Sequence, residues 1–385
     1  MKKILILGGS HRDIPLIKAS QELGYFVITL GDRDYYLGHK YSDKYYKVNF
    51  NDLMAVKKVI KEEMVDYIIP GSGEESYLKT VQLAKELDIG NFDSLETAKL
   101  VHNKWKFKEF CLENSISTPY GFYYSNGSNL DNLTFPIVVK PTNLSGGRGV
   151  DIVYNLEELK KSLKIAKEFS DEIFLEEYIE GDLIAYSTFL KNQKIVYDFT
   201  GKDDTYKNKY LITTAYPIEL DERVLSRLKY DIEKIAKELS LVDGMFHLQV
   251  IVKNNIPYII DVTRRIPGDF YPNLIEQCDK IKYSQAVVNA YIGEEIDDKL
   301  EVVEKQEFFI RHCVMSDKNG IYKDIYIDET LRSNVSFKFE LIQSETKITN
   351  FLTTQIAIVF IQLLDKDKDI LNNINKLIYP IVEKI

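Results

Sequence analysis

Short apolar runs, glycine turns and amphipathic stretches alternate over residues 1 to about 90. Ile4 to Leu7 ends in Gly8-Gly9-Ser10 and predicts a buried first strand. A helical pattern follows from about Ile14 to Leu23, then a strand at Phe26 to Leu30. Val65 to Pro70 predicts another strand, followed by Gly71-Ser72-Gly73-Glu74-Glu75 and a helix through Leu87. Strand, glycine turn and helix in repetition predict an α/β fold with a doubly wound parallel sheet. Such sheets bind ligands outside the carboxyl ends of their strands. That places Ser10, His11, Glu74 and Glu75 beside a candidate site. The turn Gly8-Gly9-Ser10-His11-Arg12-Asp13 is not the G-x-G-x-x-G of a dinucleotide site.

The pattern changes near residue 93. Asp93-Ser94-Leu95-Glu96 reads as a capping box opening a helix, with Ala98, Val101 and Trp105 at helical spacing. Short strands follow at Tyr120 to Tyr124, Ile137 to Lys140 and Val150 to Tyr154. Asn155 opens an amphipathic helix carrying Leu156, Leu159, Leu163 and Ala166 on one face. Strands recur at Ile173 to Leu175, Ala185 to Leu190 and Lys194 to Phe199, and a helix at about Glu222 to Leu239. Phe246 to Val252 and Tyr258 to Val262 predict a hairpin around Asn254-Asn255. From about 300 a mixed tail is expected, with a strand near Ile356 to Ile361 and a last helix from about Ile370.

The 385 residues carry 50 Lys+Arg against 59 Asp+Glu, a net charge of −9 without a basic block, which excludes a protein held on nucleic acid by phosphate neutralisation. Apolar runs stop far short of the roughly 20 residues of a membrane span. Cys111, Cys278 and Cys313 have neither zinc spacing nor a disulfide pattern, which suits a reducing cytoplasm.

Three segments carry chemistry. Lys140-Pro141 is followed by Ser145-Gly146-Gly147-Arg148-Gly149, a lysine and a glycine loop of the kind that cradles phosphates, though not a Walker A loop. Glu176-Glu177-Tyr178-Ile179-Glu180-Gly181-Asp182 runs from a strand into an acidic hinge, where backbone groups can bond an adenine edge and a carboxylate a ribose. In the hairpin, a three-residue turn sets Gln249 opposite Asp261. Two oxygen donors side by side suit Mg²⁺, and Arg265 follows within reach of a transferring phosphoryl group. Each segment alone also fits an ordinary structural use: a glycine hairpin, a solvated strand end, a hydrogen-bonded glutamine beside an Asp–Arg pair. His247, between apolar strand residues, reads as a core histidine.

Taken in order, these segments resemble the ATP-grasp superfamily over about residues 1 to 300. The resemblance implies a Rossmann-like domain at 1–92, an ATP-grasp domain at 93–298 with a small α+β lid at about 119–184, and a C-terminal α+β extension at 299–385. It implies that Lys104 and Lys140 contact the nucleotide, residues 145 to 149 close over its phosphates, Glu176 to Ile179 form the adenine hinge, and Asp182 meets the ribose. It places Gln249, Asp261 and Thr263 on the metal positions, commonly Glu, Glu and Asn, and Arg265 on the phosphate-contacting arginine. One formal negative charge among three metal positions, where two are usual, implies weaker binding of a second Mg²⁺. Arg264 stands where many relatives have Pro, a position from which it can either support the strand end or hold a substrate carboxylate.

The implied activity is an ATP-dependent carboxylate–amine ligase working through an acylphosphate, with ATP and Mg²⁺, or Mn²⁺ in its place, as cofactors. Partners are a small carboxylate and an amine, without nucleic acid or membrane, and the default assembly is a homodimer. Bicarbonate activation of the carbamoyl-phosphate type and a non-catalytic ATP sensor are the alternatives. Specificity is expected from Ser10-His11-Arg12, from Gly71 to Ser76 and from 264 to 273, including Gly268 and Asp269. Glu74 and Glu75 suit a substrate ammonium, and equally a helix N-terminus.

Overall fold

A computed structural model of the chain describes residues 1–125, 128, 130, 133–141, 149–296, 300 and 307–384. The expected loop residues Ser145, Gly146, Gly147 and Arg148 lie outside the described residues, as does the expected boundary at 298/299.

The N-terminal sheet is wholly parallel, in the order β3-β2-β1-β4. Its strands are β1 (Lys3–Leu7), β2 (Phe26–Gly31), β3 (Lys44–Lys47) and β4 (Tyr67–Pro70). The crossovers carry α1 (Ile14–Glu22) and α2 (Leu53–Glu63), and α3 (Glu74–Leu87) follows the last strand. Ile4, Leu5, Ile6 and Leu7 are all fully buried, because a parallel strand covered on both faces needs an unbroken apolar run.

The helix expected through Trp105 is two helices, α4 (Leu95–His102) and α5 (Lys104–Glu113). Ser94 caps α4 by accepting from the Thr97 amide. Asn103 adopts an extended backbone between them and accepts from the Lys106 amide, ending one helix and starting the next. The break puts Lys104 in the first turn of α5, with Lys108 one turn later on the same face.

A small antiparallel sheet follows, in the order β5-β8-β6-β7. It comprises β5 (Gly121–Tyr124), β6 (Ile137–Pro141), β7 (Asp151–Val153) and β8 (Ile173–Glu177), with α6 (Leu156–Lys167) laid on it.

The next strands are β9 (Asp182–Lys191), β10 (Lys194–Thr205), β11 (Ile212–Pro217), β12 (Gly244–Lys253) and β13 (Ile256–Thr263). They are accompanied by α7 (Glu222–Glu238), α8 (Tyr271–Asp279) and α9 (Tyr283–Ile292). The periodicity reading had not found β11, α8 or α9. The tail is richer than expected: β14 (Phe308–Met315), β15 (Gly320–Ile327), β16 (Val335–Glu340), β17 (Lys347–Ile348), β18 (Gln355–Leu363), α10 (Lys368–Leu377) and β19 (Ile378–Glu383). Three of its strands complete an eight-stranded antiparallel sheet in the order β13-β12-β9-β10-β11-β14-β18-β16, and β17-β15-β19 form a small sheet beside it. Among the described residues no helix is long and apolar enough to cross a membrane.

The β12–β13 hairpin reaches the expected pairing by another route. Its turn has two residues, Asn254 and Asn255, both in the left-handed region, which is the geometry a tight hairpin favours. That turn alone would set Gln249 opposite Ile260. A bulge at Ile260 inserts one residue and brings Asp261 opposite Gln249.

Three histidines are buried neutral. Burial pushes His102, His247 and His312 down to about 3. Unfolding exposes them to water, where they protonate near 6.5. Between those values the unfolded chain binds more protons, so stability is full above about pH 6.5 and falls as pH drops. Each histidine contributes about 1.4 kcal/mol per pH unit within the window. The expected result is a melting temperature that declines steeply from pH 6.5 to pH 5. A flat profile there would show that these imidazoles are already protonated in the fold.

Candidate active site

Three cavities join along the seam between the small and large sheets. The first, of about 680 Å³, is walled by Val138, Ile152, Ile179, Leu183 and Ile251, with the 176–179 hinge along one side. The second, of about 370 Å³, shares Lys140, Lys209 and Tyr210 with it and adds Lys104, Gln249, Asp261 and Arg265. The third, of about 180 Å³, continues to Glu74 and Thr263. A slot with one apolar wall thus opens into a chamber lined by lysine, arginine and oxygen donors.

Glu176 ties two lysines together. Its carboxylate pairs with Lys140 of β6 through one oxygen and with Lys108 of α5 through the other. Burial alone would raise the Glu176 carboxyl, but Lys140 and Lys108 outweigh it and hold it low. Burial likewise pushes Lys108 down, against the pull of Glu176. The lysines differ in access: Lys108 is 4% exposed and also donates to the Pro119 carbonyl, while Lys140 is 15% exposed and lines the cavity. At the hinge, the Glu177 amide donates to Tyr120 and the Tyr178 amide to Pro136.

Gln249 and Asp261 stand side by side on the hairpin, and Thr263 follows two residues on, opposite His247. The Thr263 hydroxyl accepts from the Arg265 amide at 3.2 Å. Among the described residues no three His, Cys, Asp or Glu side chains converge as a metal cage. The donors are two side-chain oxygens and a hydroxyl, hard ligands that suit Mg²⁺, which completes its shell with water and phosphate. Arg265 is half-buried beside them, and its Nε, itself buried, has no hydrogen-bond partner among the described residues. Burial pushes its guanidinium down, opposed by Asp261 and Glu74. Glu74 is raised by burial and by Asp261, and lowered by Arg265 and Lys104. A half-buried guanidinium with an unused donor, facing a chamber of oxygen ligands, fits an anionic group that enters with its own oxygens.

A row of polar side chains crosses the large sheet behind this chamber. Gln249 aligns with Ala185 and then Gly201, while Asp203, Ala215 and Arg311 align across the next strands. The Tyr271 hydroxyl fills the space above Gly201, where a side chain would strike it. Asp203 is 6% exposed. Burial pushes its carboxyl up to about 7, with Arg311 and the Gln249 amide pulling the other way.

Residues 124–269 match the family model described as the D-ala D-ala ligase C-terminus. A formate-dependent phosphoribosylglycinamide formyltransferase of Sulfurisphaera tokodaii is 25% identical over 287 residues, 69% of this chain and 70% of that one. A D-alanine–D-alanine ligase of Nitratiruptor is 27% identical over 176 residues, 40% of this chain and 51% of that one. The crystal structure of an L-amino acid ligase from Bacillus licheniformis superposes with a TM-score of 0.84 at 17% identity, covering 100% of this chain and 99% of that one. The chain is similar to these ligases in sequence and shares the fold of the L-amino acid ligase.

In this chain, Lys104, Lys140, Gln249, Asp261, Arg265, Gly268 and Asp269 line one cavity. Glu176, Glu177, Tyr178 and Ile179 line the adjoining slot. Gly149 is described and adopts a left-handed backbone. Asp182 is turned away: its side chain is 75% exposed and pairs with Lys202 at 2.6 Å. Glu75 is exposed in the first turn of α3, whereas Glu74 reaches the chamber.

His11, Arg12 and Asp269 engage one another. Arg12 Nε donates to Asp269 at 3.0 Å, His11 lies 3.3 Å from the same oxygen, and Gln355 donates to the other. Burial would raise Asp269, but His11, Arg12 and Arg311 hold it well below the usual carboxylate range. Gly268 lets Arg12 approach, since a Cβ there would sit 3.0 Å from its Cδ.

Of the two readings of Arg264, the structure fits support of the strand end and not a substrate contact. It is 4% exposed; its Nε and Nη2 donate to Asp93 at 2.7 and 3.2 Å, and its other bonds go to the Met245 and Val242 carbonyls. With its donors turned inward it braces the strand end that carries Arg265 and is not available to a substrate. Replacing Arg264 with Ala should cost about 3–5 kcal/mol in denaturant unfolding, because Asp93 is left charged and buried. A loss below about 1 kcal/mol would show that the pair is already neutral or hydrated.

Sequence reasoning missed Lys108, Lys209 and Asp203. Lys108 had a signal, its spacing of four from Lys104. Asp203 had none, because its partners come from strands far along the chain.

Proposed function

We propose that this chain is an ATP- and Mg²⁺-dependent carboxylate–amine ligase that releases ADP and phosphate and joins a small carboxylic acid to an amine. The observation that carries the reading is the single chamber in which Lys140, Gln249, Asp261 and Arg265 meet beside a slot with one apolar wall. In this reading residues 1–92 present the second substrate, 93–298 hold the nucleotide with the lid at about 119–184, and 299–385 brace the sheet from its far edge. The adenine edge takes the Ile179 amide, since those of Glu177 and Tyr178 are already spent.

Gln249, Asp261 and the Thr263 hydroxyl would hold Mg²⁺. When bound, the metal neutralises charge on the phosphoryl oxygens. Lys140 binds the same phosphates. A carboxylate oxygen of the substrate attacks the γ-phosphorus, the bond to the bridging oxygen breaks, and ADP leaves. Arg265, with its unused Nε, stabilises the charge on the transferring group. The amine nitrogen then attacks the acyl carbon and phosphate departs with the C–O electron pair. Glu74 holds the amine as its ammonium beside the chamber and takes one proton, which frees the nitrogen lone pair for attack; the second proton, lost as the amide forms, leaves with the departing phosphate.

The test is ATP consumption with Mg²⁺ against pools of amino acids and small acids, with ADP and phosphate read separately from AMP. ADP and phosphate rising only when one acid and one amine are both present supports the ligase. ADP formation that requires bicarbonate overturns it in favour of carboxyl-phosphate chemistry. AMP and pyrophosphate as products would rule out an acylphosphate.

A further inference from the structure

A fourth cavity, of about 430 Å³, opens over the carboxyl ends of β1 and β4 and shares Arg12 and Ser72 with the chamber. Two glycine turns border it, Gly8-Gly9-Ser10 after β1 and Gly71-Ser72-Gly73 after β4. Glycine turns at strand ends are a common place for a phosphate, held by their amides. Here an internal anion takes those amides. The buried Asp13 carboxylate accepts from the Gly9 and Ser10 amides at 2.8 Å each and from the Ser72 amide at 2.7 Å. The Gly8 and Gly71 amides go to the Ile6 and Leu7 carbonyls. Glycine is needed in both turns to admit that carboxylate: a Cβ at 8 would sit 2.7 Å from its Oδ2, and one at 71 would sit 2.9 Å from its Oδ1. The first turn of α3, beside the cavity, carries Glu74 and Glu75. A phosphate entering here would meet two acids and a cradle whose donors are already used.

The walls suit a different guest. They are Leu7, Tyr35, Tyr36, Leu37, Phe50 and Leu341. Tyr35 and Tyr36 meet edge to face, with ring centroids 5.7 Å apart. An apolar cavity of about 150 Å³ already holds a benzene ring, so this one has room for a ring and the chain that carries it. Arg12 stands where the cavity meets the chamber. Its Nε is spent on Asp269 at 3.0 Å, while its two terminal nitrogens have no partner among the described residues. Its side chain crosses Gly268, which lines the same recess as Glu74. A carboxylate, a guanidinium and an apolar cavity therefore converge on one point.

We propose that this cavity holds the side chain of the amine substrate, and that the substrate is an α-amino acid with an aromatic or large aliphatic side chain. Its ammonium faces Glu74, its carboxylate takes the free end of the Arg12 guanidinium, and its side chain lies against Tyr35, Tyr36 and Phe50. The inference rests on the ligase reading only in making this amino acid the nucleophile. The exclusion of a phosphate-bearing amine rests on the cavity alone.

The test is titration calorimetry of the whole chain with phenylalanine and leucine in both enantiomers, glycine, phenethylamine and O-phosphoethanolamine, with melting temperature as the control for folding. The best of the four apolar amino acids should bind about 10- to 100-fold tighter than glycine, the effect of burying a ring-sized apolar side chain. O-Phosphoethanolamine should bind no tighter than glycine. Tyr35 is 69% exposed, so Tyr35→Glu leaves the core intact while setting a charge on the cavity wall. It should weaken the apolar amino acid about tenfold or more and leave glycine unchanged. Arg12→Gln should weaken phenylalanine about 10- to 100-fold and leave phenethylamine, which has no carboxylate, unchanged. The proposal is overturned if no apolar amino acid binds, if glycine binds as tightly, if O-phosphoethanolamine binds tighter, or if both variants leave phenylalanine binding as in wild type. Failure of the ligase reading looks different. The apolar amino acid then binds and responds to both variants, yet no carboxylic acid paired with it releases ADP, and the amino-acid site stands without that chemistry.

Discussion

Alanine at Arg265 should lower the rate of ADP formation by about 10²- to 10³-fold, the usual effect of removing one donor that acts on charge in the transition state. The structure gives the reason. Arg265 is held in place by its neighbours, yet its buried Nε has no partner among the described residues, so the donor is oriented before any substrate arrives. Lysine at the same position should not restore the rate, because an ammonium lacks the planar fork that spans two oxygens. ATP affinity should change much less than turnover. The measurement is a pair, initial rates of ADP release and equilibrium ATP binding. Equal losses in both would place Arg265 in ground-state binding instead.

Alanine at Lys140 should do the opposite. ATP affinity should fall about 10- to 100-fold, as expected for a charge-assisted bond worth about 1.5–3 kcal/mol. The fold should survive, because Glu176 keeps Lys108 as its partner. Lys108→Ala should reverse the pattern, costing about 3 kcal/mol of stability by leaving a buried pair broken. Trp105, the only tryptophan, gives a direct reading of both variants. Its ring lies 6.2 Å from Phe174, whose own ring is 5.7 Å from the Lys140 ammonium. Unchanged ATP titrations for Lys140→Ala would remove this lysine from the phosphate site.

Local patterns carried much of the fold. The parallel N-terminal sheet was legible because β1, β2 and β4 are apolar runs bounded by turns, and α6 because Asn155 and its apolar face agree. The hairpin was legible in outcome but not in detail. A three-residue turn and a two-residue turn with a bulge give the same Gln249–Asp261 pair, and pattern alone does not distinguish them. The tail strand β18 was legible as the apolar run Ile356 to Ile361, but β14 and β16 were missed, since their positions in the large sheet depend on partners far apart in the chain.

The site divides the same way. Lys140, Gln249, Asp261 and Arg265 lie on strands or just beyond them, in an order along the chain that a sequence preserves. Arg264 was left open between two roles because two adjacent arginines look alike as letters. One is spent on Asp93, 171 residues away, and only the coordinates separate it from its neighbour. Asp182 misled for a simpler reason: at the first position of β9 its side chain points to solvent and meets Lys202.

The bond between Asp93 and Arg264 has a consequence for ancestry. A proline at 264, as in many chains that this one resembles, would leave Asp93 with the Val242 amide and the Tyr77 hydroxyl but without its countercharge. Loss of Asp93 would in turn strand a buried guanidinium. Neither change is readily tolerated first, so the two positions are expected to be inherited as a unit. Among descendants of a common ancestor, an acid at 93 should accompany arginine at 264, and the lineages with proline there should carry an uncharged residue at 93.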